Sequence, residues 1–302
     1  MEQTEQQHLN NKNNIRNTNH MSRRVMKSNA LKVLSFLATI SGLVVLAILL
    51  IQVFTQGIPW INWDFLTGRL STDPDRAGIM GAILGTFWLM VVVIPIVFII
   101  GVGTAIYLEL YLKKGRFQSF IQTNISNLAG VPSIVYGLLG LTVFVRLMDL
   151  GNIVLAGGLT LSLLILPIVI VSSQEAIRAV PSQLAEASYG MGATKWQTIK
   201  NVILPTALPG ILTGSILALS RAIGETAPLT VLGIPALLIP FPEGIFDKFT
   251  ALPMQIYYWT LDSTLVEEYA YLASATIIVL LVLLFVLNSI AIFIRNKFQQ
   301  RF

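Results

Sequence analysis

Residues 79–108 read IMGAILGTFWLMVVVIPIVFIIGVGTAIYL and contain no charged side chain. A helix needs about 20 apolar residues to cross a hydrocarbon layer roughly 30 Å thick, so this stretch can span a membrane even when it is tilted. The rest of the chain agrees, because 54% of its 302 residues are hydrophobic and only 12% are charged. Soluble domains carry about 25% charged residues. The sequence therefore predicts an all-α integral membrane protein.

Further apolar runs predict six transmembrane helices in total. They cover residues 33–53, 79–108 (broken by Pro95), 128–145, 153–173, 206 into the 230s, and 270–294. The uncharged but polar run at 117–127 should lie at the membrane interface and lead into the third span. Residues 1–29 are rich in Asn and Gln and lack apolar periodicity, which predicts a disordered cytoplasmic tail.

The distribution of basic residues predicts the orientation. Lysine and arginine beside short loops are retained on the cytoplasmic side. Placing the amino terminus inside puts most of the 20 basic residues there and leaves Arg221 within a span. Those that fall outside are Arg69, Arg76, Arg146 and Lys248. Both termini, including residues 295–302, are then expected in the cytoplasm.

Several classes of function are excluded or disfavoured. The chain has no cysteine, and its two histidines, His8 and His20, lie in the polar tail. Disulfides and thiolate chemistry are therefore excluded, and a histidine metal site or proton relay within the membrane is not expected. There is no G-x-x-x-x-G-K-[ST] loop to hold nucleotide phosphates. The net charge of +5 reflects cytoplasmic lysine and arginine, so we expect no nucleic acid. Because the nucleotide loop is missing, we also expect no bound cofactor and no enzyme activity in this chain, and any use of ATP must fall to a partner.

The predicted cytoplasmic loop between the fourth and fifth spans, residues 174–205, has the pattern of two short helices. Pro181 suits a first helical position, and Gly190 with Gly192 can end the first helix in a left-handed turn. This first helix presents a small, mostly apolar surface of the kind that fits a groove on a partner. That surface consists of Leu184, Ala185, Ala187 and Ser188.

A second helix is predicted to follow at once. Thr194-Lys-Trp-Gln197 has the pattern of a capping box, and Pro205 should stop the helix after Leu204. The two helices together form a hairpin that projects into the cytoplasm. A loop that only connects two spans is the alternative interpretation.

The same loop carries a family resemblance. Glu186-Ala187-Ser188, then Gly192 and later Val202-Ile-Leu-Pro205, is similar to the EAA motif of ABC importer permeases, with Ser188 and Val202 as mild departures. The resemblance implies an ABC type I importer permease fold over 78–294, preceded by a first span and outward loop at 30–77. It also implies that Glu186, Ala187, Ser188 and Gly192 couple the chain to an ATPase subunit.

A pair of opposite charges, Arg221 and Glu225, lies in the predicted fifth span. Four residues apart, they would share one helical face. A charge at the bilayer centre costs about 2.5 to 3.5 kcal/mol on insertion scales, so such residues pair or line a water-filled path. We therefore expect both to face the protein interior. An ion pair that only joins helices is the alternative.

Two further stretches narrow the resemblance. Ser220-Arg-Ala-Ile-Gly-Glu-Thr-Ala-Pro-Leu229 resembles a signature of phosphate-specific permeases of the PstA type, and Gly130-Val-Pro-Ser-Ile-Val-Tyr-Gly137 is similar to another stretch of that family. Arg221 would then contact permeating phosphate through its planar fork of donors, and Glu225 would orient it and weaken its hold. Ser133 and Tyr136 could add neutral donors, although such residues also bond to neighbouring helices.

The resemblance implies partners as well. These are a PstC-type permease in a heterodimer, a PstB-type ATPase dimer that uses ATP, and a PstS-type phosphate-binding protein outside a bacterial plasma membrane. The outward segments 54–78 and 233–269 would meet that binding protein or rest on the membrane surface. Other interpretations are a permease for sulfate, molybdate or phosphonate, a stand-alone transporter or channel, and a membrane enzyme. The last is disfavoured because His, Cys and carboxylates do not cluster in the spans.

Overall fold

Helices make up nearly all of the regular structure in the computed structural model, which describes residues 2–235 and 241–298 and their side chains from 25 to 297. In chain order the helices are α1 (Glu2–Gly57), α2 (Trp63–Thr67), α3 (Met80–Tyr111), α4 (Arg116–Ala129), α5 (Ser133–Leu147), α6 (Val154–Arg178), α7 (Ser182–Gly190), α8 (Lys195–Gly224), α9 (Ala227–Val231), α10 (Leu252–Asp262) and α11 (Glu268–Phe298). The prediction of an all-α protein is confirmed.

The predicted spans all have helical counterparts. Among the described residues, five helices are long and apolar enough to cross a membrane: α1, α3, α6, α8 and α11. The third predicted span, residues 128–145, corresponds mainly to α5, and the predicted interfacial run 117–127 corresponds to α4; the two helices are bent by 99° at their junction and qualify as a span only when taken together. The bend lies at Val131-Pro132, because proline lacks an N–H and disfavours helical backbone in the residue before it.

The chain divides into two compact units, Met1–Thr55 and Gln56–Phe302. From Glu2 onwards the first unit lies within α1, which therefore includes most of the segment predicted to be a disordered tail. No proline or glycine precedes Gly42 to end this helix. The division of the chain into a tail, a first span and a permease core stays a prediction.

Proline does not interrupt the second span as the sequence predicted. α3 continues through Pro95 and enters a π-helical stretch at Phe98–Val102, with a second one at Tyr107–Tyr111. Pro95 removes only the bond to the carbonyl of Val91, and the packed neighbouring helices can hold a helix through such a gap. The predicted break is therefore wrong, and the span is one continuous helix.

Close contacts at small residues hold α6 in the centre of the second unit. An added Cβ on Gly158 of α6 would lie 2.6 Å from a methyl carbon of Val92 in α3. On the other side, a Cβ on Gly210 of α8 would lie 2.8 Å from the Cβ of Ala176, and one on Gly214 would meet Ser172. Gly210 and Gly214 thus allow α6 and α8 to approach closely, as small residues do between membrane helices.

The segment between α9 and α11 enters the bundle rather than covering it. Phe249 and Leu252 are fully buried, and the Leu252 N–H donates to Thr86 Oγ1 at 3.0 Å. Backbone bonds from Val154 to Asp247 and from Leu155 to Ile245 tie the segment to the start of α6. Neither predicted role for it, meeting a binding protein or resting on the membrane, describes this buried part.

Candidate functional site

The predicted ion pair forms at the end of α8. Arg221 Nε donates to Glu225 Oε1 at 3.0 Å, and the side chains of Arg221 and Glu225 are 50% and 16% exposed. Arg221 therefore lies on the surface of this chain, and the expectation that it faces the chain's own interior is wrong. The role of the pair in substrate contact stays a prediction.

The helix that carries Arg221 ends earlier than the sequence predicted. α8 stops at Gly224, and Glu225 has extended backbone, with φ −77° and ψ 118°. The short helix α9 then begins at Ala227, with Pro228 in its first turn. The predicted continuous fifth span into the 230s is wrong, because Gly224 and the residues before Pro228 favour leaving the helix. Glu225 consequently reaches back to Arg221 from outside the helix.

The two distinctive stretches of the sequence meet in space. Gly137 of α5 faces α9, where an added Cβ would lie 2.8 Å from Pro228 Cα. Tyr136 is 7% exposed and belongs to the same apolar cluster as Ala222 and Leu229. Residues flanking the ion pair are therefore packed directly against α5.

Ser133 and Tyr136 differ in how available their hydroxyl groups are to donate a hydrogen bond to a substrate. Ser133 is the first residue of α5 and is partly exposed. The Tyr136 hydroxyl donates to the carbonyl of Leu128 at 2.8 Å, across the bend between α4 and α5. Because its only hydrogen is used in this bond, Tyr136 is better explained as a residue that fixes the bend.

Sequence reasoning missed one polar residue near the ion pair. Asn288 of α11 lies beside Ser220, the neighbour of Arg221, and the two side-chain oxygens are 2.7 Å apart. The signal was available, because Asn288 interrupts a long apolar run, and amides in membrane helices commonly bond to a neighbouring helix. This contact joins the end of α8 to α11.

The predicted hairpin is present in most of its details. α7 spans Ser182–Gly190, and Gly192 follows in a left-handed conformation with φ +84°. Pro181 precedes α7 rather than occupying its first position. Both bonds of the capping box form: Gln197 N–H donates to Thr194 Oγ1 at 3.4 Å, and Thr194 N–H donates to Gln197 Oε1 at 2.8 Å.

The second helix of the hairpin does not end at Pro205. It continues as α8 to Gly224 and passes a π-helical stretch at Ile199–Ile203 just before the proline. The Leu204 N–H donates to the carbonyl of Ile199, five residues back, and the helix then runs on through Pro205, so the predicted stop is wrong. The hairpin and the fifth span therefore share one helix.

The exposed surface of the hairpin differs from the predicted one. Ala185 packs against a buried cluster that includes Ile203, and Ser188 Oγ is 2.9 Å from Thr198 Oγ1. Both face inward, whereas Glu186 and Ala187 are exposed, as is Gly192. Sequence reasoning missed the large apolar side chains that are exposed beside them, Tyr189 at 45%, Met191 at 90% and Trp196 at 59%. Exposed large apolar side chains of this kind are typical of binding surfaces.

Comparison with protein families matches residues 99–302 to the family described as "Binding-protein-dependent transport system inner membrane component". The phosphate transport system permease protein PstA of Mycobacterium leprae (strain TN) is 34% identical over 240 residues, 78% of each chain. PstA of Haemophilus influenzae is 31% identical over 245 residues, 80% of each chain. The probable ABC transporter permease protein YqgI of Bacillus subtilis (strain 168) is 34% identical over 189 residues, which span 61% of this chain and 64% of that relative.

Solved structures share the fold at low identity. A chain of the inward-facing MetNI methionine ABC transporter has a TM-score of 0.58 and 18% identity, covering 74% of this chain and 96% of that one. A chain of a bacterial transporter involved in import of alginate has a TM-score of 0.57 and 16% identity, covering 84% and 89%. The expected ABC importer permease fold is thus confirmed. The chain is a multi-pass membrane protein, and it belongs to the family of binding-protein-dependent transport system inner membrane components.

Proposed function

We propose that this chain is one permease subunit of an ATP-driven importer of inorganic phosphate in a bacterial plasma membrane. The observation that carries the proposal is the Arg221 guanidinium, which is half exposed at the end of a membrane-spanning helix and is held by one carboxylate at 3.0 Å. The names of two relatives that match most of the chain, both phosphate transport permeases, support phosphate as the substrate.

The chemistry of the ion pair suits a permeating oxyanion. A guanidinium has five N–H donors in one plane, and the contact to Glu225 uses the donor on Nε. The four donors on the terminal nitrogens remain to form paired bonds to phosphate oxygens. Glu225 offsets part of the positive charge, so that Arg221 attracts the anion and still releases it. A permeation site needs this balance, because an ion that binds too tightly cannot leave.

The exposure of Arg221 implies a second wall for the path. In the proposed assembly a PstC-type permease supplies that wall in a heterodimer. The hairpin surface around Glu186, Ala187, Gly192, Met191 and Trp196 docks on a PstB-type ATPase dimer, which hydrolyses ATP, while this chain binds no cofactor. A PstS-type protein delivers phosphate from outside. Both termini lie in the cytoplasm.

Uptake by the assembled complex tests the proposal. The chain is co-expressed and co-purified with the candidate permease, ATPase and binding protein, and phosphate uptake into proteoliposomes is measured with ATP supplied on the hairpin side. We expect uptake only when the ATPase is present, and competition by sulfate, molybdate or phosphonate well below that by phosphate. Uptake without the ATPase would point to a stand-alone transporter, and stronger competition by another oxyanion would change the substrate.

A further inference from the structure

A guanidinium links the cytoplasmic end of α3 to the start of the hairpin. Arg178 is the last residue of α6, and the hairpin helix α7 begins four residues later. Its Nη2 lies 2.9 Å from Glu109 Oε2 in α3, and its Nη1 lies 3.0 Å from Glu175 Oε1 in α6 itself. One side chain therefore joins two helices that are far apart in sequence.

The contact that crosses between helices is the sheltered one. The Glu109 side chain is 13% exposed, whereas the Glu175 side chain is 65% exposed. Exposed ion pairs contribute little because water and salt screen them, and sheltered pairs interact more strongly. The ion pair of Arg178 with Glu109 should therefore hold α3 and α6 together more firmly than the exposed ion pair with Glu175 supports α6.

A second contact joins the other half of the hairpin to the same end of α3. Lys195 Nζ lies 4.6 Å from the ring centroid of Tyr111, within the range of a cation–π interaction. Lys195 is the first residue of α8 and belongs to the capping box that begins at Thr194. Its position relative to the hairpin turn is therefore fixed by local hydrogen bonds.

The two residues of α3 that make these contacts lie in one π-helical segment. Glu109 and Tyr111 belong to the π-helical stretch Tyr107–Tyr111 at the end of α3. π-helical turns are uncommon and are often found at functional sites. An open surface cavity of about 680 Å³, with polar and apolar lining in about equal parts, adjoins this end of α3 and is lined by Glu109 and Arg178 together with residues of α4 and α7. The cavity leaves room for the segment to move.

We infer that these two contacts, Glu109 with Arg178 and Tyr111 with Lys195, form a clamp through which displacement of the hairpin moves the cytoplasmic end of α3. The four residues are positioning residues, and they do not touch the substrate. The inference rests on the proposed function, because it assumes that an ATPase displaces the hairpin. The clamp adds a second connection from the hairpin to the membrane helices. The hairpin is continuous with α8, whereas only these side-chain contacts would join it to α3.

The matched pair Glu109→Gln and Glu175→Gln tests the clamp. Each change removes the negative charge of one carboxylate that contacts the Arg178 guanidinium, but only Glu109→Gln weakens a contact between two helices. The complete reconstituted transporter is assayed for phosphate taken up per ATP hydrolysed, after co-purification of the ATPase is verified. We expect the ratio to fall about fivefold or more in Glu109→Gln, as for a lost coupling of ordinary size, and to change less than twofold in Glu175→Gln.

Two further comparisons separate coupling from stability. The exchange of both charges, Glu109→Arg with Arg178→Glu, should recover most of the lost ratio because the contact is rebuilt in reverse. Tyr111→Leu should lower the ratio, whereas Tyr111→Phe, which keeps the aromatic ring, should not. If the Glu109→Gln complex does not assemble, the comparison of these two Tyr111 variants tests the clamp instead. Equal ratios for Glu109→Gln and Glu175→Gln, or for Tyr111→Leu and Tyr111→Phe, would overturn the clamp. Absent uptake by the unmodified complex would instead overturn the proposed function.

Discussion

Replacing Gly137 with alanine tests whether α5 and α9 meet as the structure shows. The added Cβ would lie 2.8 Å from Pro228 Cα and 2.9 Å from Val231 Cβ. Since Pro228 Cα is a backbone atom, it cannot rotate away, and the two helices must separate. Pro228 lies three residues after Glu225, so the separation should also disturb the ion pair with Arg221.

The expected magnitude follows from two opposing effects. Overpacking a close contact costs about 1 to 3 kcal/mol, whereas alanine is about 0.5 to 1 kcal/mol more favourable than glycine within a helix. Gly103 in α3 is the matched control, because its added Cβ meets no atom within 4 Å. Gly103→Ala should therefore show only the gain in stability from replacing a helical glycine with alanine. The two variants should differ by the overpacking penalty of about 1 to 3 kcal/mol.

Thermal unfolding of the two variants in the same detergent measures this difference. At about 2 to 4 °C per kcal/mol, Gly137→Ala should melt roughly 2 to 12 °C below Gly103→Ala. Its phosphate uptake should also fall relative to Gly103→Ala in the reconstituted complex. Equal melting temperatures would refute the packing of Gly137 against Pro228, and a lower melting temperature with full uptake would refute the link from this contact to the ion pair.

Three other predictions address the ion pair, the topology and the hairpin. Arg221→Gln should abolish phosphate uptake at normal assembly because an amide carries no charge, while Lys297→Gln at the exposed end of α11 should not; full uptake by Arg221→Gln would exclude direct contact with phosphate. The chain has no cysteine, so a single cysteine can be placed at Met191 or at Leu265, whose side chains are 90% and 86% exposed. The two cysteines should react with an impermeant maleimide from opposite sides of the membrane, and reaction of both from the same side would contradict the topology. Thr194→Ala should destabilise the hairpin by about 1 kcal/mol and reduce co-purification of the ATPase, whereas Thr194→Ser should not; equal recovery would argue against the capping role.

Local patterns in the sequence were sufficient to predict the hairpin. The capping box from Thr194 to Gln197 and the left-handed turn at Gly192 each depend on a few consecutive residues, and both are present. The predictions that Pro95 breaks a helix and that Pro205 ends one were wrong, because these outcomes do not depend on consecutive residues alone. Neither Pro95 nor Pro205 ends its helix, because packing against neighbouring helices can hold a helix through a proline, and that packing involves residues distant in sequence.

Contacts between distant segments could not be predicted. The run of prolines and aromatic residues before α10 fits a membrane surface by composition, yet Phe249 is fully buried. The space for its ring exists because Gly157 of α6 lacks a side chain: an added Cβ there would lie 2.6 Å from Phe249 Cζ. The pairing of Glu109 with Arg178 is equally remote in sequence. Such complementarity becomes visible only when the helices are packed.

The continuity of α8 connects the two functional regions directly. Because Pro205 does not end the helix, Trp196 on the hairpin and Arg221 at the ion pair lie on the same helix. From position 196 to position 221 an α-helix rises roughly 38 Å, at about 1.5 Å per residue. In the proposed importer, an ATPase that moves the hairpin therefore moves the helix that presents the guanidinium. Glu225 lies beyond the end of that helix, and Pro228 packs against α5, so in the proposed importer such a movement would change the distance between the two charges and with it the proposed hold on phosphate.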